Sequence, residues 1–93
     1  MDALAHIKNS SDCIAVKNFA NAKISSGHVR VYPTADGSWG DYHYTTGDIH
    51  IWTYAFTNAH ELNMTLMHES YHGYYNDPDD TAAENFASNC VTN

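Results

Sequence analysis

Basic residues are scarce in this chain. Only four Lys and Arg stand against eleven Asp and Glu, a net charge of -7. This argues against nucleic acid or an anionic membrane as the partner, because binding phosphate needs a basic surface. A neutral or basic ligand suits it better. No apolar run reaches the roughly eighteen residues of a membrane span, and no basic segment leads into an apolar one, so neither a transmembrane helix nor an uncleaved signal peptide is expected. Cysteine is limited to Cys13 and Cys90, near opposite ends. Neither belongs to a C-x-x-C pair of the kind that binds zinc or does redox chemistry. The two are read first as small buried thiols. A disulfide tying the first helix to the last is the alternative if the protein is exported, and localisation is left open. Repeats and low-complexity stretches are absent.

Apolar residues at 43% and aromatics at 13% of 93 residues describe one folded domain. Such a chain has room for one modest core and none for a separate substrate-binding module, so an active site must lie close to that core. A monomer is expected.

From Asp2 to about Ser25 the residues favour helix, with Ser10, Ser11 and Asp12 as a cap cluster dividing a short first turn from a longer segment. Ile14, Phe19, Ala20 and Ile24 are expected to form its buried stripe. After Gly27 the period changes to two. Val29 and Val31 alternate with His28, Arg30 and Tyr32 until Pro33, which reads as a strand. Thr34 to Gly40, with Asp36-Gly37, reads as a turn. Tyr42 to Thr45 and Ile49 to Phe56 then flank Thr46-Gly47-Asp48 as a hairpin. Three antiparallel strands are expected. In the last, Ile49, Ile51 and Thr53 face one way and His50, Trp52 and Tyr54 the other. Asn58 to about Tyr75 carries the strongest helical pattern, apolar on two sides, and belongs in the middle of the domain. Asn76-Asp77-Pro78-Asp79-Asp80 breaks it. Thr81 to about Val91 forms a last helix with Ala83, Phe86, Ala87 and Cys90 inward. The fold class is α+β.

Within the central helix stands His68-Glu69-Ser70-Tyr71-His72, an H-E-x-x-H motif. By composition it would arise by chance in about one to two per cent of such chains, before the helical context is required. Two histidines four apart on a helix differ by about 40° in direction and about 6 Å in rise. Their rings can therefore meet one ion at roughly 2.0–2.1 Å from each nitrogen. Glu69 projects beside that ion, where it can take the proton of a water whose pKa zinc has lowered towards neutrality. A catalytic zinc needs a third protein ligand and an open position for water. Asp77, Asp79, Asp80 and Glu84 are the downstream candidates. Glu84 is preferred, because it sits at the edge of the last helix's buried stripe and would face the metal if that helix packs antiparallel on the central one. Its rival role is as the acid of a capping box, Thr81-Ala82-Ala83-Glu84. The aspartates are read as a solvated turn and a helix N-terminus that favours negative charge.

With His68, Glu69 and His72 on one helix and Glu84 followed by Asn-Phe-Ala on the next, about half of the chain resembles the gluzincins. These are metallopeptidases with H-E-x-x-H on one helix and a glutamate ligand on the next, and the brevity resembles the minigluzincins. A similar glutamate-bearing helix occurs in bacterial regulators that cleave repressors. The resemblance implies a zincin-like domain with one zinc ion, and a strand beside the cleft, here Ile49 to Phe56, that binds extended peptide as an extra strand. The second lobe of larger gluzincins, which supplies oxyanion-stabilising groups, has no counterpart. Tyr74, Tyr75, His60, His50 and His43 are the donors that could replace it, each read singly as packing or surface. The expected function is zinc-dependent peptide hydrolysis with Glu69 as base and His68, His72 and Glu84 as ligands, acting on a peptide or protein substrate. A non-catalytic zinc-containing module that binds peptide or protein, and a hydrolytic effector domain of a larger protein, are the alternatives.

Overall fold

The computed structural model describes residues 4, 6–33 and 39–92. Helix α1 (Ser11–Ser25) is followed by strands β1 (Val29–Tyr32), β2 (Gly40–His43) and β3 (Asp48–Trp52), then helices α2 (Ala59–Tyr75) and α3 (Asp80–Cys90). The result is an α+β fold in which α2 packs between α1, α3 and the sheet. Three elements that bury their apolar faces against α2 hold it in place.

The sheet is mixed, in the order β1-β3-β2, which corrects the expectation of three antiparallel strands. The β2–β3 hairpin forms as expected, antiparallel with Tyr42 opposite Ile49, and Gly47 closes its turn at φ +72° with its N–H bonded to His43 O at 2.7 Å. That positive φ is why the turn takes glycine. β1, however, adds to the other side of β3 in parallel, with Val29 opposite Ile49. Period-two patterning assigns residues to faces and carries no information about direction, so it does not distinguish a parallel from an antiparallel neighbour. β3 is thus paired along both edges. It cannot accept an added strand, which corrects the expectation that Ile49 to Phe56 binds peptide. That segment also ends early as a strand, since Thr53–Thr57 turns into a 3-10 helix leading to α2.

Alternation along β3 is as expected: Ile49 and Ile51 are fully buried, while His50 and Trp52 are partly exposed on the other face. The side chain of Tyr54 and the turn around Asp36-Gly37 lie outside the described residues. In α1 the buried face is Cys13, Val16 and Ala20, at spacings of three and four, so of the predicted stripe only Ala20 is buried. Ile24 is 44% exposed, and Phe19 sits beside the core edge-on to Tyr74. The expected short helical turn before Ser10 falls partly on undescribed residues. Ile7 is extended there and bridges to Val91, with Lys8 N–H bonded to Cys90 O.

Cys13 and Cys90 are joined in a disulfide that ties α1 to α3, which overturns the reading of two free thiols. Each stands on its helix's buried face, so packing brings the Cα atoms to 5.5 Å. The bond closes 77 residues of chain, and in the loop-entropy picture a closure of this length stabilises by about 4–5 kcal/mol. Replacing both cysteines by serine is expected to lower the unfolding free energy in urea by roughly 3–5 kcal/mol. A loss under about 1 kcal/mol would show that the link does not constrain the unfolded chain.

Candidate metal centre

α2 owes its bounds to local chemistry. Asn58 caps its start by accepting from Glu61 N–H at 2.9 Å, and Asn76 ends it in the left-handed region at φ 52°, which Asn tolerates better than most residues. His68, Glu69 and His72 stand in the second half of this helix, where it is buried by its neighbours. The chain then reverses through a tight acidic turn. Tyr71 O–H donates to Asp77 Oδ2 at 2.8 Å, and Asp79 N–H donates to Asp77 Oδ1 at 3.0 Å. These bonds fix where α3 begins. Asp79 is its cap, accepting from Ala82 N–H at 3.1 Å. The capping box predicted at Thr81 is therefore not formed, and Glu84 is released for other contacts.

Hydrogen bonds decide which ring nitrogens are available. His72 Nδ1 lies 2.7 Å from the carbonyl oxygen of Asp77, which can only accept, so Nδ1 carries the hydrogen. His68 Nδ1 lies 2.9 Å from Glu84 Oε2, and the same reasoning holds. In each neutral ring the lone pair is then on Nε2. Both Nε2 atoms face one oxygen, Asp80 Oδ1, at 2.9 Å from His72 and 3.2 Å from His68. Two lone pairs aimed at an anionic oxygen need positive charge between them, supplied by a proton or a metal ion. Ligands of a tetrahedral zinc stand about 3.3 Å apart at ordinary bond lengths, close to the distances here. One ligand atom each from His68, Glu69 and His72 also lies within 4.8 Å of the others.

The electrostatics agree with that geometry. Burial alone would lower the pKa of His68, but the charge of Glu69 and the hydrogen bonds to Glu84 and Asp80 outweigh it and raise the pKa. The bond to His68 holds the Asp80 carboxyl below its usual range, against a smaller opposing effect of burial. Glu69 is 6% exposed. Burial pushes its carboxyl up to about 7, although His68 and His72 pull the other way. A carboxyl poised near neutrality, beside a pair of imidazoles, suits a group that takes and returns a proton.

The sheet approaches this centre through Gly40. A Cβ there would meet Thr65 Cγ2 at 2.8 Å and Glu69 Cγ at 3.2 Å, so only glycine lets β2 lie this close to α2. Two cavities open on either side, both touching Gly40, Glu69 and Asp80. One of about 470 Å³ is walled by Trp39, Glu61, Met64 and Thr65, with His68 and Glu84. The other, of about 250 Å³, is walled by Asp41, Tyr42, Tyr44, His72 and Pro78. No Lys or Arg lines either one. Together they form a cleft beside the edge of β2 that no described strand pairs.

Of the residues singled out by sequence, His68, Glu69 and His72 are brought together. Glu84 touches His68 on Nδ1, the nitrogen remote from the convergence point, and its side chain is 57% exposed. Asp80 is a solvated helix end as read from sequence, its side chain 84% exposed in the first turn of α3, and is also the carboxylate that both Nε2 atoms face. Tyr74, Tyr75, His60, His50 and His43 line neither cavity. His43 and His50 instead stack on each other, with ring centroids 3.7 Å apart. Asp80 was among the downstream candidates without being preferred, and Gly40 and Tyr44, which line the cleft, were not singled out. For Gly40 the available signal was an isolated glycine at the start of a strand, which marks close backbone approach.

No family model, curated protein or solved structure matches the chain.

Proposed function

We propose that this chain is a zinc-dependent peptidase of zincin-like type, with His68, His72 and Asp80 as metal ligands and Glu69 as general base. One observation carries the reading: both imidazoles are held by an oxygen on Nδ1, so that their Nε2 atoms converge on a single Asp80 oxygen beside a buried glutamate. An oxygen on the remote nitrogen is the usual support of a metal-ligating histidine. Glu84 then takes the outer role, orienting His68, and Asp80 replaces it in the ligand set expected from the resemblance to gluzincins. Zinc bound there would polarise a carbonyl and bring the pKa of a water towards neutrality.

The chain's own residues supply the remainder. Glu69 accepts the water's proton and passes it to the leaving nitrogen, which its raised pKa favours. The outer edge of β2, which no described strand pairs, offers backbone groups to an extended peptide, which would lie along the cleft as an added strand. The acids Asp41, Glu61 and Glu84 on the cleft walls favour a neutral or basic peptide. The disulfide supports residence in an oxidising compartment, and no described helix is long and apolar enough to cross a membrane.

Cleavage of an unfolded protein substrate tests this reading. It is expected with one equivalent of zinc, to stop with 1,10-phenanthroline, and to return when zinc is added back. Undiminished cleavage in excess chelator would contradict it.

A further inference from the structure

Hydrolysis of an amide places charge where no residue assigned so far can meet it. The oxygen of water bonds to the carbonyl carbon, the π pair moves to the carbonyl oxygen, and the water's proton goes to Glu69. The C–N bond then breaks as that proton reaches nitrogen. The developing oxyanion calls for a hydrogen-bond donor that is itself uncharged or positive. Around the 250 Å³ cavity, Asp41, Glu69 and Asp80 are acids, Pro78 has no donor, and His72 is committed through both ring nitrogens. Two phenols remain.

Tyr42 is occupied by packing. A Cβ on Gly73 would meet its Cζ at 2.6 Å, so its ring lies hard against α2, and its hydroxyl is 3.8 Å from the Cβ position of Gly47 in the hairpin turn. Tyr44 is different. It is 47% exposed, and its ring stands edge-on to Tyr42 with centroids 4.9 Å apart. Its hydroxyl has no hydrogen-bond partner among the described residues. It also follows β2 directly, at the mouth of the turn that holds the edge strand in place.

We propose that Tyr44 is a further catalytic residue of the cleft, donating its phenolic hydrogen to the carbonyl oxygen of the scissile bond as negative charge develops there; this rests on the peptidase reading. Burial, and after it the charge of Asp77 and then of Glu69 and Asp80, disfavours the phenolate, so the hydroxyl keeps the hydrogen it must share. The hydrogen bonds that hold His68, His72 and Asp80 run to Glu84, to the Asp77 carbonyl and among themselves, so Tyr44 is not needed to hold the ion.

The test is Tyr44→Phe, with Tyr74→Phe as the control, since Tyr74 packs on Phe19 and lines neither cavity. Zinc per chain should stay at the parental value in both. In Tyr44→Phe, kcat should fall by about 10²–10³-fold with KM little changed, the usual cost of removing one oxyanion donor. Affinity for a phosphonamidate peptide, a tetrahedral anionic mimic, should fall in the same proportion, while a product peptide binds as before. Parental kcat and parental phosphonamidate affinity in Tyr44→Phe would overturn the assignment and leave the peptidase reading standing. A zinc-loaded parent that neither cleaves peptide nor binds the phosphonamidate would overturn both.

Discussion

Glu69→Gln is expected to keep one zinc per chain and to lose at least about 10²–10⁴-fold in peptide hydrolysis, the usual contribution of a positioned general base. Gln fills the same space, so the contacts of residue 69 with Gly40 and its neighbours are preserved, but its amide cannot accept the water's proton. The fold should not suffer. The carboxyl is buried and its pKa is pushed up to about 7, so above that pH the native state bears the cost of an ionised group with little water around it. A neutral amide removes that cost, and thermal unfolding at pH 8 should occur at or above the parental temperature. Loss of activity together with retained stability and retained zinc is the combination that separates a base from a structural residue. A variant with more than a tenth of parental activity would show that the proton goes elsewhere.

The second large effect distinguishes two carboxylates on one helix. If Asp80 is the third ligand, Asp80→Ala removes about a third of a binding free energy that for structural zinc sites is on the order of 10–16 kcal/mol, so affinity should fall roughly 10²–10⁴-fold. Glu84→Ala leaves the ligands in place and removes only the support behind His68, a loss of about 10–100-fold. Glu84→Gln, which still offers an oxygen to His68 Nδ1, should lie close to the parent. α3 should survive these changes, because its cap is Asp79. Competition with a zinc indicator gives all three affinities. The reverse order, with Glu84→Ala the worst and Asp80→Ala mild, would return the ligand role to Glu84.

Sequence favours Glu84 while both Nε2 atoms face Asp80, and the difference has a simple physical cause. Asp80 and Glu84 are four residues apart, on the same face of α3 and separated by about 6 Å of helix rise. Either meets the imidazoles, depending on how far α3 slides along α2. That offset is set by the turn between them: Asn76 in the left-handed region, His72 Nδ1–H on the Asp77 carbonyl, Tyr71 and Asp79 on the Asp77 carboxylate. These are contacts across the turn, and no periodicity reports them. The capping box looked plausible at Thr81 for the same reason, since the true cap lies two residues earlier.

What could be read from the chain was whatever depends on local spacing. α2 was legible because its apolar positions repeat at three and four and Asn58 and Asn76 bracket it; the burial of Ile49 and Ile51 followed from alternation. The hairpin was legible because Gly47 stands where the turn needs positive φ. The parallel placement of β1, the joining of Cys13 to Cys90 and the rotation of α1 depend on how separated segments meet, which one-dimensional patterns do not record. Tyr44 was passed over because seven tyrosines look alike in sequence. Only its exposed place on the cavity wall distinguishes it.

Zinc per chain, measured after equilibrium dialysis of the wild type and of a His68→Ala, His72→Ala double variant, goes to the centre of the matter. One zinc in the wild type and none in the double variant is the expected result. An equal zinc content in the two proteins, or none in either at micromolar free zinc, would mean that the paired rings do not hold an ion.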